Sequence, residues 1–466
     1  MPPPTLSPLR SIHNVRLASS DPNLDSTWDV TFDPSHSISI TPSTTTENNN
    51  NNDNPLALPT LTHPHIHLDK AFVHSALPTA SHLPSTGSFQ EALSLTAQAK
   101  AQFHRADLLQ RGEWLLAESV ASGVTTMRAF VEVDQTVGLA CLDAGVELQT
   151  RWEAACRIQL VCFAQDPIFS GEAGDGNRAL LEEALARYPC VDVIGTTPYV
   201  EASGEAARRN IDWAVTQALR LDKHVDFHLD YNLDCEREAL VWYVLDALRR
   251  NRWTASTTDK RVMLGHCTRL TLFGHEEWSR LAEEIRRHDL PVSFVGLPTS
   301  DLYMAAPPDG ESDGPSNGRP RGTLPVPEMI RKYNLDAVMG VNNVGNAFTP
   351  WGSPDPLSLA CLGVGVYQAG TQADATLLYE CVSTRARAAI GLSSSELALK
   401  DGDPDDILLL YSVDDTGCGV SRPRTRVADV VWDPPARVSR SIVTRGSLKR
   451  APASLCPETS YEYLAT

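Results

Sequence analysis

Between residues 59 and 345, short runs rich in Val, Ile and Thr alternate with longer segments whose apolar residues recur at helical spacing between charges. This alternation predicts parallel strands joined by helical crossovers. Eight strands are read in this way: residues 59–68, 123–133, 157–164, 191–197, 224–230, 262–268, 291–297 and 337–343. Glu205 to Leu221, Glu236 to Arg250 and Glu276 to His288 carry the crossover pattern, with apolar positions three and four apart. Eight strand–helix repeats are what a TIM-like (β/α)8 barrel requires, and chemistry is then expected at the C-terminal ends of the strands.

The flanks are patterned differently. Val15 to Leu17, Trp28 to Phe32 and Ile38 to Ile40 are strand-like, as are Ile407 to Leu410, Val427 to Trp432 and Ser441 to Val443. A strand cluster at each end of the chain predicts a small β-sandwich built from both termini. The expected division is therefore residues 1–58 and 401–466 for the sandwich and 59–400 for the barrel, an α/β architecture. Ser43 to Asn54, with its run of asparagines, reads as a low-complexity surface loop, and Gly310 to Gly322 as a flexible loop on the side of substrate entry.

A chain of 466 residues that is 42% hydrophobic and 21% charged buries a full-sized core. Its 58 acidic against 40 basic residues, a net charge of −18, argue against a nucleic-acid partner, because phosphate binding needs a basic face. No run of about 18 apolar residues predicts a membrane span, and Met1-Pro2-Pro3-Pro4 does not open a secretion signal. Ten cysteines scattered without a CxxC pair suit free thiols in a reducing compartment. The expectation is a cytoplasmic protein with a small-molecule substrate, possible self-association, and neither a membrane nor a nucleic acid as partner. Dinucleotide-binding, P-loop, serine-hydrolase and HExxH motifs are all missing.

Histidines carry the chemistry. His65 and His67 lie two apart at the end of the first strand, so both imidazoles face one side and can reach one ion. His228 and His266 also end short apolar runs, which brings four histidines to strand ends. His63 shares their parity and is expected one layer below the metal. Glu132 and Asp134 read as solvated or salt-bridged surface.

In Pro64-His65-Ile66-His67-Leu68-Asp69-Lys70, Gly123 to Arg128, Phe163-Ala164-Gln165, His228-Leu229-Asp230, His266, Leu297 to Met304 and Gly340 to Trp351, the chain resembles the amidohydrolase superfamily and its cytosine deaminase-like branch. The resemblance implies one divalent metal ion, zinc or iron, bound by His65, His67, His228 and the residue at 342. It further implies that His266 orients water or substrate, that Gln165 reads an amide-like edge of the substrate, and that Asn343 and the aromatic Trp351 line the substrate site.

Two positions depart from the branch. Where its eighth strand carries a metal-binding, proton-accepting Asp, this chain has Asn342, which is able to ligate through oxygen but not to act as a general base. Where the branch has a proton-shuttling Glu after the strand-five histidine, this chain has Tyr231. Proton delivery then falls to Tyr231, His266 or an inward-turned Asp230. The reading is a hydrolase or deaminase acting on a non-peptide C–N bond of a small cyclic nitrogen compound. Its alternatives are a repurposed ligand-binding barrel without catalysis and a metal-dependent lyase or cyclase.

Overall fold

The structure is a computed structural model that describes residues 8–18, 26–44, 54–76, 83–306, 321–414, 416–450 and 461–463. Most of the two expected loops, at 43–54 and 310–322, lies outside these described residues. The first strands are β1 (Leu9–Leu17), β2 (Trp28–Phe32), β3 (Ile38–Pro42) and β4 (Leu56–Pro59). The barrel strands follow as β5 (Leu61–His67), β6 (Val124–Glu132), β7 (Arg157–Ala164), β8 (Val193–Thr196), β9 (His224–Leu229), β10 (Val262–His266), β11 (Val292–Gly296) and β12 (Ala337–Met339). The chain ends with β13 (Ile407–Leu410), β14 (Arg440–Thr444), β15 (Ser447–Arg450) and β16 (Tyr461–Tyr463).

Strands β5 to β12 pair in sequence order, all parallel. The ring is drawn together where Ile66 bridges Asn342: the Asn342 N–H donates to the His65 carbonyl at 3.1 Å, and the His67 N–H donates to the Asn342 carbonyl at 2.9 Å. Gly340 permits this approach, because a Cβ there would lie 2.9 Å from Leu297 Cδ2 and 3.2 Å from His65 Cβ. Phe130, Val161, Phe163 and Val193 fill the lumen. Met263, Val295, Leu297 and Val338 rest on Ala386 and Ala389 of the helix Thr384–Ala389 and on Ile390, which close the floor.

The second sheet is mixed, in the order β15-β14-β13-β4-β1-β2-β3, with β16 also on β1. Leu9, Ile12, Val30 and Ile38 from the N-terminal strands and Ile407, Leu409, Val443 and Leu448 from the C-terminal strands form one buried cluster, so both termini supply a common core.

Three expectations about elements change. The strand expected over 59–68 begins later: Pro59 ends β4, which pairs with β13, Thr60 lies between, and β5 starts at Leu61 and pairs with β6. Val427–Trp432 is a helix, because Asp429 accepts the Arg426 N–H at 3.1 Å and caps its first turn. The crossover expected from Glu236 begins at Val241.

Candidate metal centre

His65, His67 and His228 converge: one nitrogen from each lies within 4.8 Å of the others. They are 0%, 2% and 2% exposed. His67 Nε2 and His228 Nε2 face each other at 3.1 Å, while both nitrogens of His65 and the Nδ1 atoms of His67 and His228 have no hydrogen-bond partner. Burial, together with neighbouring imidazoles and Lys70, pushes all three pKa values well below the usual range, so the rings are neutral with lone pairs to give. Asn342 lies beside His65. Its Nδ2 donates to Ser300 Oγ at 2.9 Å, and its buried Oδ1 is unpartnered. Three imidazole nitrogens and an amide oxygen with unspent lone pairs fit a divalent cation, and none of the four carries a negative charge.

The backbone turns sharply around these groups. His266, Asp230 and Asn342 have φ of 64°, 49° and 67°, so each strand end leaves the regular alternation. At Asp230 the turn swings Tyr231 over the mouth, where its ring stacks on His266 with centroids 3.8 Å apart and planes at 25°. Its hydroxyl donates to the Ser300 carbonyl at 3.3 Å, and burial pushes the phenol pKa well up. Asp230 turns away from the mouth: its two carboxylate oxygens accept the N–H groups of Leu240 and Val241 at 2.8 and 3.0 Å, which fixes where that helix starts. The expected inward turn of Asp230 is thus not realised.

His266 Nδ1 is 2.8 Å from Asp301 Oδ1. Asp301 in turn accepts the Leu297 N–H at 3.1 Å and the Thr323 hydroxyl at 2.7 Å, which fixes the carboxylate that holds the imidazole. Gln165 Oε1 accepts a hydrogen bond from Lys70 Nζ at 3.0 Å. Asn343 Oδ1 accepts from Asn346 Nδ2 at 2.8 Å, which braces the loop after β12, and Asn346 Nδ2 also reaches the Lys70 carbonyl. Trp351 is 48% exposed and meets Tyr303 edge-on at the rim, whereas Phe348 is buried with Lys70 Nζ 5.7 Å from its ring centroid.

Sequence reasoning missed the task of Lys70 and of Asp301. A lysine directly after the His65-Ile66-His67-Leu68-Asp69 run is the signal that marks Lys70. It is 2% exposed and pairs with Glu132 at 2.7 Å, and the other oxygen of Glu132 meets Lys100 at 2.6 Å. Glu132 and Asp134 are therefore salt-bridged but buried, not surface. Burial alone would raise the Glu132 pKa, yet Lys100 and Lys70 outweigh it and hold the carboxyl at about 2.

His63 faces the other way. Between His63 and Ile66 strand β5 advances three residues, while its partner advances two, from Met127 to Ala129. This bulge at Pro64, which has no N–H for the ladder, flips the parity. His63 therefore points outward to Ser119 Oγ at 3.2 Å rather than beneath the metal.

No family model and no curated protein matches the sequence. Solved structures do match. A 5-methylcytosine deaminase from Klebsiella pneumoniae liganded with 5-fluorocytosine is 19% identical with a TM-score of 0.77, over 96% of this chain and 98% of that one. An N-isopropylammelide isopropylaminohydrolase from Burkholderia multivorans is 22% identical with a TM-score of 0.69, over 94% and 97%. An adenosine deaminase from Xanthomonas campestris with bound zinc is 14% identical with a TM-score of 0.61, over 92% and 90%. The structural neighbours are amidohydrolase-superfamily deaminases and hydrolases, and at these identities the likeness establishes a shared fold.

Proposed function

We propose that this chain is a metal-dependent hydrolase that cleaves a carbon–nitrogen bond, other than a peptide bond, in a small cyclic nitrogen compound. The observation that carries this reading is the convergence of three neutral imidazoles, with lone pairs unspent, at the C-terminal ends of the barrel strands, beside the unpartnered amide oxygen of Asn342. The similar proteins are named for methylcytosine, an ammelide and adenosine, which favours a heterocyclic substrate. A divalent ion in this site, zinc or iron, supplies Lewis acidity and makes water nucleophilic near neutral pH.

The residues of the chain then divide the remaining work. His266, held through Nδ1 by Asp301, keeps Nε2 for the reacting group, where it steadies negative charge developing on the attacked centre. Asn342 has no carboxylate, so the proton released by water passes to His266 and from there to the departing nitrogen. Gln165 and Lys70, bonded to each other, offer donors and an acceptor to the polar edge of the ring. Tyr231, with its hydroxyl spent on Ser300 and its pKa raised, holds the His266 ring in place rather than serving as the acid. Asp230 is the cap of the helix Val241–Arg250.

Elemental analysis after loading with zinc or iron(II), followed by a product-mass screen of cyclic ureas, lactams and aminopyrimidines, tests the reading. One ion per chain and a product formed by addition of water and loss of an amine are the expected results. A chain that holds no metal would be a ligand-binding barrel. A product formed without the addition of water would make it a lyase or cyclase.

A further inference from the structure

Beneath the metal centre the barrel lumen holds an ion pair that the proposed reaction does not use. Arg128 of β6 and Asp226 of β9 are both 0% exposed, with Arg128 Nη1 3.3 Å from Asp226 Oδ2. The guanidinium is anchored further: Nε donates to Gln159 Oε1 at 3.2 Å and Nη2 to the Ile390 carbonyl of the barrel floor at 3.2 Å. The second oxygen of Asp226, Oδ1, has no hydrogen-bond partner. It lies 3.7 Å from His65 Nδ1, which has none either.

Two buried polar atoms of complementary type thus face each other, and leaving such atoms unpaired costs free energy. A charged pair in a lumen otherwise filled by Phe130, Val161, Phe163 and Val193 is also costly, since apolar side chains pack there without desolvating an ion. Asp226 precedes His228 by two residues on β9 and therefore lies on the same face, one layer below the ligands.

We propose that Asp226 is a positioning residue for the metal site. Its carboxylate accepts the Nδ1–H of His65 and fixes the tautomer whose Nε2 lone pair faces His67 and His228. Arg128, tied to Gln159 and to the floor, holds Asp226 in place. A tilt of the His65 ring by roughly an ångström closes the 3.7 Å separation to an ordinary hydrogen bond. A carboxylate behind a ligating imidazole both orients the ring and makes it a stronger donor. The inference rests on the metal-centre reading.

Zinc titration against a competing chelator, on the full chain and on Asp226→Asn, tests it. The variant is expected to bind zinc about 10- to 100-fold more weakly, with the zinc-free protein still folded by circular dichroism. Nitrogen-15 spectra of the zinc-loaded parent, labelled at histidine, give a readout that a purely structural role would not move. All three zinc-bound imidazoles are expected to carry their proton on Nδ1. Equal zinc affinity in the variant, or His65 ligating through Nδ1, overturns the proposal. If Asp226→Asn does not fold, the tautomers of the unmutated protein decide. A parent that takes up no zinc sinks the metal-centre reading itself, whereas a parent and variant that bind alike sink only the role of Asp226.

Discussion

At Asn342 the two ends of one amide differ: its nitrogen donates to Ser300 and its buried oxygen has no partner. Replacing it by Asp removes the donor, but Ser300 is a hydroxyl and can donate in its place. The new carboxylate brings a negative charge to a site whose other ligands are neutral. Asn342→Asp is therefore expected to tighten zinc binding by about tenfold or more in chelator competition. Unchanged affinity would mean that Oδ1 does not face the ion. The neighbouring pair separates two roles in the same way. Tyr231→Phe keeps the ring stacked on His266 and loses only the bond to the Ser300 carbonyl, so kcat on an active substrate should stay within about fivefold of the parent, whereas His266→Asn should cost about 100-fold or more. A 100-fold loss in Tyr231→Phe would return the phenol to the role of acid.

At the scale of elements, side-chain alternation set His65 and His67 on one face, because residues two apart on a strand share it, and the barrel brought His228 of β9 to them. The same rule failed at His63. Pro64, with no N–H for the ladder, is the one local sign of the bulge, and its effect on register shows only in the pairing of β5 with β6, a partner about 60 residues away. The error at Val427–Trp432 has a similar cause: a short apolar run fits strand or helix equally well, and a single cap from Asp429 decides. The barrel was legible because its eight repeats are long and periodic. The task of Asp301 was not, because it depends on where the helix Pro298–Met304 after β11 meets the histidine that ends β10. The flipped His63 has a measurable consequence. Burial holds its pKa at about 4 against about 6.5 when unfolded, with Asp355 only partly offsetting it. The folded protein thus resists protonation of His63, and the stability this group contributes is present above pH 6.5 and lost as pH falls through 6.5 toward 4. From pH 7 to pH 5 the loss from this one group is about 2 kcal/mol. In His63→Gln, the fall in urea-unfolding free energy between those pH values should shrink by about that amount. An identical pH dependence in parent and variant would show that folding does not lower the His63 pKa.

For the whole molecule, the terminal sheet must stay registered on the barrel, and one guanidinium joins them. Arg440 of β14 is 2% exposed. It meets both carboxylate oxygens of Asp355 at 2.9 and 2.8 Å and the Ser122 carbonyl at 2.7 Å. Asp355 is the N-cap of the helix Pro356–Val366, and Ser122 is the last residue of the helix Arg105–Ser122 that leads into β6. A single side chain thus ties the sheet to two helices of the barrel, with fork-on-carboxylate geometry that lysine does not offer. Burial alone would raise the Asp355 pKa, but Arg440 outweighs it and holds the carboxylate ionised. Removing only the cation strands that charge inside the protein, so Arg440→Met is expected to lower unfolding free energy by about 3 to 5 kcal/mol. Zinc affinity of the folded variant should match the parent, because no atom of this network touches the three histidines. The second substitution separates an unpaired charge from a lost contact: in Arg440→Met with Asp355→Leu the stranded carboxylate is gone, and at least half of the lost stability should return. A double variant as unstable as the single one would mean that the bonds from Arg440 to Ser122 and to Pro435, not its pairing with Asp355, hold the two parts together.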